Sequence, residues 1–166
     1  KYSVEALLAD KSKNDLYSSF ATIYLSPKDY HRIHMPFDGR LKLMKYIPGN
    51  LFSVNQRTVN NIDQVFARNE RLICNFNTEY GEIALVMVGA IFVGSMETSW
   101  EGQVTPPYTK SVKTYDYDSR QIGLSKGEEL GRFNMGSTVI LILPKGSPEL
   151  NLEAGKALKM GQSISN

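Results

Sequence analysis

From residue 22 onward, the apolar positions follow the short, partly alternating pattern of β-strands rather than the spacing of helices. Three segments predict short strands: residues 22–25, 39–46 and 71–76. A longer apolar stretch over residues 82–96 predicts one strand that bends at Gly89. Residues 139–143 form an unbroken apolar run before Pro144, which predicts a strand that is buried on both of its faces.

The remaining segments predict short helices, turns and loops. Ser3 precedes the helix-forming residues 4–8 and is placed to cap them, while residues 14–21 predict a second short helix or a turn. More polar segments predict turns, loops and edge strands: residues 77–81, 103–126 and 159–163. We therefore expect a mainly β (α+β) fold in a single domain, residues 1–166, with a compact β-barrel or sandwich core and a few short peripheral helices.

Composition narrows the class of protein. The 166 residues are 42% hydrophobic and 22% charged, which suits one folded domain with a real core. A formal net charge of +2 is too small to indicate nucleic-acid binding, although it is compatible with an anionic lipid surface. The longest apolar run, residues 83–93, is far shorter than the about 20 residues of a membrane-spanning helix. Cys74 has apolar neighbours and no partner for a disulfide, which indicates a buried thiol.

The two histidines of the chain, His31 and His34, lie three residues apart between two prolines. Such a pair is compatible with metal binding, with acid–base catalysis or with a polar turn. Metal binding is the weakest of these interpretations, because a zinc site normally takes three or four protein ligands. Histidine, with an ordinary pKa of about 6.5, suits proton transfer near neutral pH.

Gly136, Ser137 and Thr138 form a second motif. Alone, it is typical of a turn that leads into the next strand, and it lacks the Gly-x-Ser-x-Gly pattern of hydrolases. A serine after a glycine has another possibility, because its Oγ can approach the glycine carbonyl and shift the acyl group from nitrogen to oxygen. A nearby histidine would take the hydroxyl proton. Elimination from the resulting ester, followed by hydrolysis, would leave a pyruvoyl group.

Longer sequence strings resemble bacterial phosphatidylserine decarboxylases, a family of self-cleaving proenzymes. The strings are DYHRIHMP at 29–36, PGNLFSVN at 48–55, FARNER at 66–71, VGA at 88–90, VGS at 93–95, KGEELGRF at 126–133 and GST at 136–138. The resemblance extends over nearly the whole chain and is weakest between residues 107 and 121.

The resemblance implies that the chain is cut between Gly136 and Ser137. This would give a β chain of residues 1–136 and an α chain of residues 137–166, with Ser137 converted to a covalent pyruvoyl group. Met135 stands where the family has leucine, an apolar residue of similar size. The implied reaction converts phosphatidylserine to phosphatidylethanolamine through a Schiff base to the pyruvoyl group, with no metal and no diffusible cofactor.

The resemblance also implies roles for both histidines. His34 resembles the histidine that activates the serine during self-cleavage, and His31 resembles the one that assists substrate binding and proton delivery. The third member of the family's triad is an aspartate in a Ser-Pro-x-Asp-Gly motif that this chain does not contain. We therefore expect the chain to be truncated at its N-terminus, after that motif. Asp29 is not expected to replace it.

Further expectations concern partners and location. The family implies a homodimer, with the α and β chains of one proenzyme held together, that sits peripherally on the cytoplasmic face of the bacterial inner membrane. Nucleic acid is not expected as a partner. Two alternatives remain open: a pyruvoyl decarboxylase of a soluble amino acid, and a noncatalytic domain like those that carry lipoyl or biotinyl groups on a lysine in a turn, here Lys159.

Overall fold

A computed structural model describes residues 3–13, 15–91, 95–106 and 108–166 of the protein. The helical elements are short: α1 (Val4–Leu8), a 3-10 turn (Lys11–Lys13), α2 (Gln56–Asn61) and α3 (Val65–Arg68). The strands are β1 (Tyr17–Tyr24), β2 (Arg32–His34), β3 (Gly39–Ile47), β4 (Arg71–Thr78), β5 (Gly81–Val88), β6 (Met96–Thr98), β7 (Gly102–Thr105), β8 (Lys113–Asp116), β9 (Gly123–Leu124), β10 (Glu129–Phe133) and β11 (Thr138–Pro144). The mainly β class with a few short helices is confirmed.

The larger sheet has seven strands, in the order β1-β11-β5-β4-β3-β8, with β9 also paired to β3. Every pair of neighbouring strands is antiparallel. Strand β11 lies between β1 and β5, so that Thr138 is opposite Tyr24 on one side and Val88 on the other. The beginning of β11 therefore meets the ends of both neighbouring strands.

The core lies around the central strands of this sheet. All seven residues of β11 are buried, as are the first six of β4 and the last six of β5. Burial on both faces explains the unbroken apolar run at residues 139–143, and each such aliphatic side chain contributes about 1.5–3 kcal/mol on burial. Leu7 and Leu8 of α1 join the same core.

The smaller sheet has four strands, in the order β2-β10-β6-β7. Two ion pairs cross its surface: Arg132 to Glu97 at 2.6 Å, and Arg32 to Glu129 at 2.5 Å. Within the described ranges neither sheet closes on itself, so two open sheets, rather than a closed barrel, form the framework.

Several local predictions are confirmed. Ser3 caps α1, because its Oγ accepts a hydrogen bond from the Ala6 amide at 3.0 Å. The predicted strands at 39–46 and 71–76 correspond to β3 and β4, and the polar stretch from residue 103 carries the short strands β7, β8 and β9. The turn at residues 77–81 is tighter than expected, since β4 continues to Thr78 and β5 begins at Gly81.

The prediction of a helix or turn over residues 14–21 is wrong. Asn14 lies outside the described residues, and most of the remaining segment belongs to β1, which begins at Tyr17. The apolar Tyr17 and Phe20 are three residues apart, which resembles helical spacing in the sequence. Pairing with β11 instead fixes the segment as a strand of eight residues that has its neighbour on one side.

The single bent strand predicted over residues 82–96 is also wrong. Strand β5 ends at Val88, and β6 in the other sheet begins at Met96, while residues 92–94, which include Val93 and Gly94 of the VGS string, lie outside the described residues. Beyond Val88 the chain leaves the sheet at Gly89, whose amide donates to the Glu70 carbonyl at 2.8 Å. The glycine therefore marks the end of a strand and not a bend within one.

The position of β11 predicts what a cut between Gly136 and Ser137 would do to the assembly. The α chain would keep all of β11, which is buried and paired on both edges, so the two pieces should remain together without a covalent link. We expect two polypeptides on a denaturing gel but one particle containing both in native mass spectrometry. Release of the α chain in buffer without denaturant would contradict this arrangement.

Candidate active site

The Gly136–Ser137 bond lies where the chain passes from one sheet to the other. Strand β10 of the smaller sheet ends at Phe133 and β11 of the larger sheet begins at Thr138, so residues 134–137 form a crossover segment. Asn134 fastens its beginning, because its amide donates to the Ser95 carbonyl at 3.1 Å and its side chain donates to Ser95 Oγ and to Glu97 Oε1. The bond is thus held between two framework strands.

Gly136 is packed directly against the chain that follows β1. A Cβ atom at this position would lie 2.5 Å from the Leu25 carbonyl oxygen and 2.8 Å from the Ser26 carbonyl carbon, too close for any side chain. The chain contains a comparable Gly-Ser pair at Gly146 and Ser147, but nothing lies within 4 Å of a Cβ at Gly146. Packing therefore requires glycine at position 136 in addition to any chemical reason.

Ser137 is fully buried and held through two of its oxygens. Its Oγ donates a hydrogen bond to the Val88 carbonyl, and its own carbonyl accepts one from the Leu25 amide at 2.7 Å. The hydroxyl therefore points to the end of β5. No hydrogen bond joins Ser137 to either histidine in the described part of the chain.

His31 lies in the loop between β1 and β2, close to the chain that packs on Gly136. Its Nε2 is 3.2 Å from the Pro27 carbonyl oxygen, and its own carbonyl accepts from the Phe133 amide at the end of β10. Its Nδ1 is buried and has no hydrogen-bond partner among the described residues. The structure therefore brings His31 beside both ends of the crossover region and leaves one ring nitrogen unused.

His34 is the last residue of β2, and both of its ring nitrogens are engaged. Nδ1 lies 2.7 Å from the Gly127 carbonyl and must donate to it, so that in the neutral ring Nε2 accepts from the Tyr30 hydroxyl at 2.8 Å. The Tyr30 ring stacks on the imidazole, with centroids 5.7 Å apart. Nε2 is consequently the basic nitrogen of His34, and Tyr30 covers it.

Asp29 is adjacent to the histidines but has a local task. Its Oδ2 accepts hydrogen bonds from Ser26 Oγ at 2.7 Å and from the Ser26 amide at 2.8 Å. These bonds lower the pKa of the Asp29 carboxyl, with the Ser26 hydroxyl making the larger contribution. Asp29 thus fixes the turn after β1.

Three of the strings in the sequence converge on Asn69, a contact that the sequence did not reveal. The fully buried Asn69 side chain donates to the carbonyls of Phe52 and Gly89, both at 2.8 Å, and accepts from the Phe52 amide at 3.1 Å. Residues 48–55, 66–71 and 88–90 are thereby joined beside Val88, whose carbonyl holds the Ser137 hydroxyl. Their role is to position the end of β5. No local pattern marks Asn69 in the sequence, because most of its neighbours in residues 66–71 are polar as well.

Glu70 is buried under the same junction. Its Oε1 accepts from the Tyr46 hydroxyl at 2.6 Å, and its Oε2 would lie 3.1 Å from a Cβ at Gly89. Burial raises the pKa of the Glu70 carboxyl, an effect that the bond from Tyr46 offsets only in part. Folding therefore shifts Glu70 towards its uncharged form relative to the unfolded chain.

Cys74 is likewise buried, as expected, and burial raises the pKa of its thiol. The described residues bring together no group of three or more histidine, cysteine, aspartate and glutamate side chains that would suit a metal ion. In the same part of the chain, no helix combines the length and apolar content that crossing a membrane requires.

The fold and the site together define a mainly β protein with an enclosed Gly-Ser bond between two sheets. The family model of phosphatidylserine decarboxylase matches residues 1–166, the whole chain. This chain is also similar to phosphatidylserine decarboxylase proenzymes from bacteria. The proenzyme of Francisella philomiragia is 54% identical over 88% of this chain, and that of Nitrosococcus oceani is 53% identical over 97% of it. The chain belongs to the phosphatidylserine decarboxylase family.

The chain spans little more than half the length of these curated relatives. The matched part is 52% of the Francisella philomiragia protein, 54% of the Nitrosococcus oceani protein and 57% of the similar proenzyme from Methylococcus capsulatus. The structure therefore describes the part of the family fold that contains both histidines and the Gly136–Ser137 bond.

The state of Glu70 predicts a pH-dependent effect on stability. Below the ordinary glutamate pKa of about 4.3, the carboxyl is protonated in both the folded and the unfolded protein. Above it, the unfolded protein ionises first, so the cost of keeping Glu70 buried grows as pH rises. Glu70→Gln stays neutral and should raise the melting temperature relative to wild type, by an amount that grows as the pH rises above about 4.3 and levels off above the folded-state pKa, as measured by thermal unfolding.

Glu82→Gln provides a control of opposite sign. Burial alone raises the pKa of Glu82, but Lys13 at 2.6 Å and Lys42 at 3.0 Å outweigh it and lower the pKa below its ordinary value. Replacing Glu82 should therefore reduce stability, and the deficit should grow as pH rises through the folded-state pKa. Equal pH profiles for the two variants would show that the environment of Glu70 has been misjudged.

Proposed function

We propose that the complete polypeptide containing this chain cleaves itself between Gly136 and Ser137 and then decarboxylates phosphatidylserine to phosphatidylethanolamine. The observation that carries the proposal is the enclosed bond itself: a glycine with no room for a side chain, followed by a fully buried serine. Membership of the phosphatidylserine decarboxylase family, with relatives named as proenzymes, supports it.

The first step is an acyl shift. Ser137 Oγ turns from the Val88 carbonyl and attacks the Gly136 carbonyl carbon, and its proton passes to a histidine. The histidine returns the proton to the Ser137 nitrogen as the bond from that carbon to the nitrogen breaks, which leaves an ester and a free amine. Loss of the Ser137 α-proton expels Gly136 as a carboxylate. Dehydroalanine then remains at position 137. Addition of water and loss of ammonia convert it to a pyruvoyl group.

His34 is the proposed proton acceptor in this cleavage. The bond from Nδ1 to the Gly127 carbonyl fixes the tautomer, leaving Nε2 as the base. Tyr30 occupies Nε2 at 2.8 Å, so that His34 must release Tyr30 before it can accept a proton from Ser137. Tyr30 is itself about half exposed, at 49%, and has room to move away from the ring.

His31 is the proposed proton donor and acceptor in decarboxylation. Its unpartnered Nδ1 supports this role, because a ring with one nitrogen on the Pro27 carbonyl can present the other to a reacting group. Ser137 fits as the source of the pyruvoyl group, since its carbonyl is anchored by the Leu25 amide. When present, that group supplies a ketone that withdraws electrons as an amine substrate loses carbon dioxide.

Exposed apolar side chains close to the bond favour a lipid substrate over a soluble amino acid. Met135 in the crossover segment is 47% exposed, and Tyr24, opposite Thr138, is also 47% exposed. Ile91, just beyond the end of β5, is 51% exposed. Apolar groups around an otherwise polar reaction centre suit contact with acyl chains, and they support a peripheral position on the inner membrane surface.

The carrier-domain alternative has little support from the geometry. The predicted turn is present, with the Gln162 amide donating to the Lys159 carbonyl at 3.1 Å. No strand flanks it among the described residues after Pro144, where a single bridge joins Leu150 to Ser165. A cofactor-bearing lysine at the tip of a strand hairpin is therefore not formed here. The homodimer and the cytoplasmic face of the membrane remain predictions from the family.

Replacing the serine at the bond tests self-cleavage. We expect Ser137→Ala to leave one uncut polypeptide and no decarboxylation of diacyl phosphatidylserine in detergent micelles, because the attacking oxygen and the source of the pyruvoyl group are both lost. Ser147→Ala is the matched control, since it alters a serine that also follows glycine. That variant should be cut as the wild type is. Normal cutting of Ser137→Ala would refute the mechanism.

Variants of the two histidines should differ in self-cleavage, seen on a denaturing gel, and in decarboxylation, seen in the activity assay. We expect His34→Gln to slow the appearance of two chains by about 100-fold or more, the usual scale for losing a general base. His31→Gln should be cut into two chains but turn over phosphatidylserine at least about 100-fold more slowly. If His31→Gln slowed cutting and His34→Gln slowed only turnover, the two roles would be exchanged. If soluble phosphoserine were the better substrate, the amino-acid alternative would be favoured.

A further inference from the structure

Thr138 carries a hydroxyl that the fold does not use. The residue is fully buried at the beginning of β11, and its Oγ1 has no hydrogen-bond partner in the described part of the chain. Its main chain is paired on both sides, opposite Tyr24 and Val88. A buried unpaired hydroxyl lowers stability relative to a valine of the same shape, so a role outside folding is indicated.

The Gly136 carbonyl is a second unpaired group in the same short segment. Its oxygen accepts no hydrogen bond from the described residues, whereas the next carbonyl, that of Ser137, is held by the Leu25 amide. The Gly136 oxygen is where negative charge develops when Ser137 Oγ attacks the carbonyl carbon. Reactions of this kind are accelerated by a hydrogen-bond donor already in place for that charge.

The other side-chain donors described around the bond are already committed. His34 Nδ1 donates to Gly127 and its Nε2 is covered by Tyr30. The Asn134 amide group is shared between Ser95 and Glu97. In the neutral ring, His31 Nε2 donates to the Pro27 carbonyl, so that its unpartnered Nδ1 is an acceptor and not a donor. Thr138 Oγ1 is a buried side-chain donor without a partner in the described part of the chain, and it lies two residues from Gly136 in the sequence.

We propose that the Thr138 hydroxyl is a catalytic residue of self-cleavage that donates a hydrogen bond to the Gly136 oxygen as it becomes negatively charged. The inference rests on the proposed function and adds to it a donor for the transition state. The bond from Ser137 Oγ to the Gly136 carbon forms, the carbonyl electron pair moves to oxygen, and the Thr138 proton is shared but not transferred. The donation uses the Thr138 side chain alone, so that the backbone pairing of β11 is kept.

The test separates cleavage from stability in the complete natural polypeptide. Thr138→Val removes the hydroxyl and keeps the shape, so we expect cleavage to slow by about 100-fold, the scale for losing one such donor. The melting temperature of the uncut protein should be equal to or higher than that of wild type. Thr138→Ser retains the hydroxyl and should be cut within a few-fold of the wild-type rate.

Thr98→Val is the matched control, because the buried Thr98 hydroxyl is used in the fold, accepting from the Glu101 amide at 3.2 Å. This variant should lose stability but retain its cleavage rate. If Thr138→Val does not fold, Thr138→Ser and Thr138→Ala, which differ by one oxygen, make the same comparison, and only the alanine variant should be slow.

Wild-type cleavage rates in Thr138→Val, or in Thr138→Ala when the valine variant does not fold, would overturn the inference while leaving the proposed function intact, provided that Ser137→Ala remains uncut. A loss of cleavage that merely follows a loss of melting temperature across these variants would overturn it too. Absence of cleavage in the wild-type protein would instead count against the proposed function.

Discussion

Strand β11 lies inside the larger sheet, so its backbone must be hydrogen-bonded along both edges and its side chains must be apolar on both faces. Pairing with β1 and β5 satisfies the edges, and the apolar residues 139–143 satisfy the faces. This constraint fixes Thr138 at the ends of two neighbouring strands. Residues 134–137 have little freedom, because these four residues must connect Phe133 of the smaller sheet to Thr138 of the larger one.

The chemistry of the site follows from that short crossover. Gly136 presses against the backbone after β1, which leaves no room for a side chain, and Ser137 is enclosed with its hydroxyl on the Val88 carbonyl. The Asn69 side chain donates to the carbonyl of Gly89, the residue after Val88, and so fixes the end of β5. If the proposed cleavage occurs, both pieces remain held, because the bond lies between strands whose pairing does not depend on it. The tightly packed setting distinguishes it from the open Gly146–Ser147 pair.

Patterns in the sequence predict the central strands well, because continuous burial produces continuous apolar runs. They fail where tertiary contacts decide. The end of β1 was predicted as the strand at 22–25, but its first part was missed, because an edge strand carries exposed Phe20 as well as buried Tyr17. Strand β5 ends at Val88, where the next residue, Gly89, bonds to Asn69 and Glu70. Ser137, His31 and His34 were candidates from the residues themselves, but their separate roles came from the resemblance to a family. Three of their partners, Val88, Pro27 and Gly127, are backbone carbonyls, which no side-chain pattern reveals, and the contact of His34 with the nearby Tyr30 hydroxyl depends on the fold of the β1–β2 loop.

The account depends most on the fate of the Gly136–Ser137 bond, and intact mass spectrometry of the purified natural protein under denaturing conditions measures that fate directly. We expect two polypeptides: one that ends in a free carboxylate at Gly136, and one that begins at position 137 and is lighter than a serine-terminated chain by the mass of ammonia. A single polypeptide with the bond intact would contradict the account. A second chain beginning with unmodified serine would contradict it as well, because simple hydrolysis would then explain the cut.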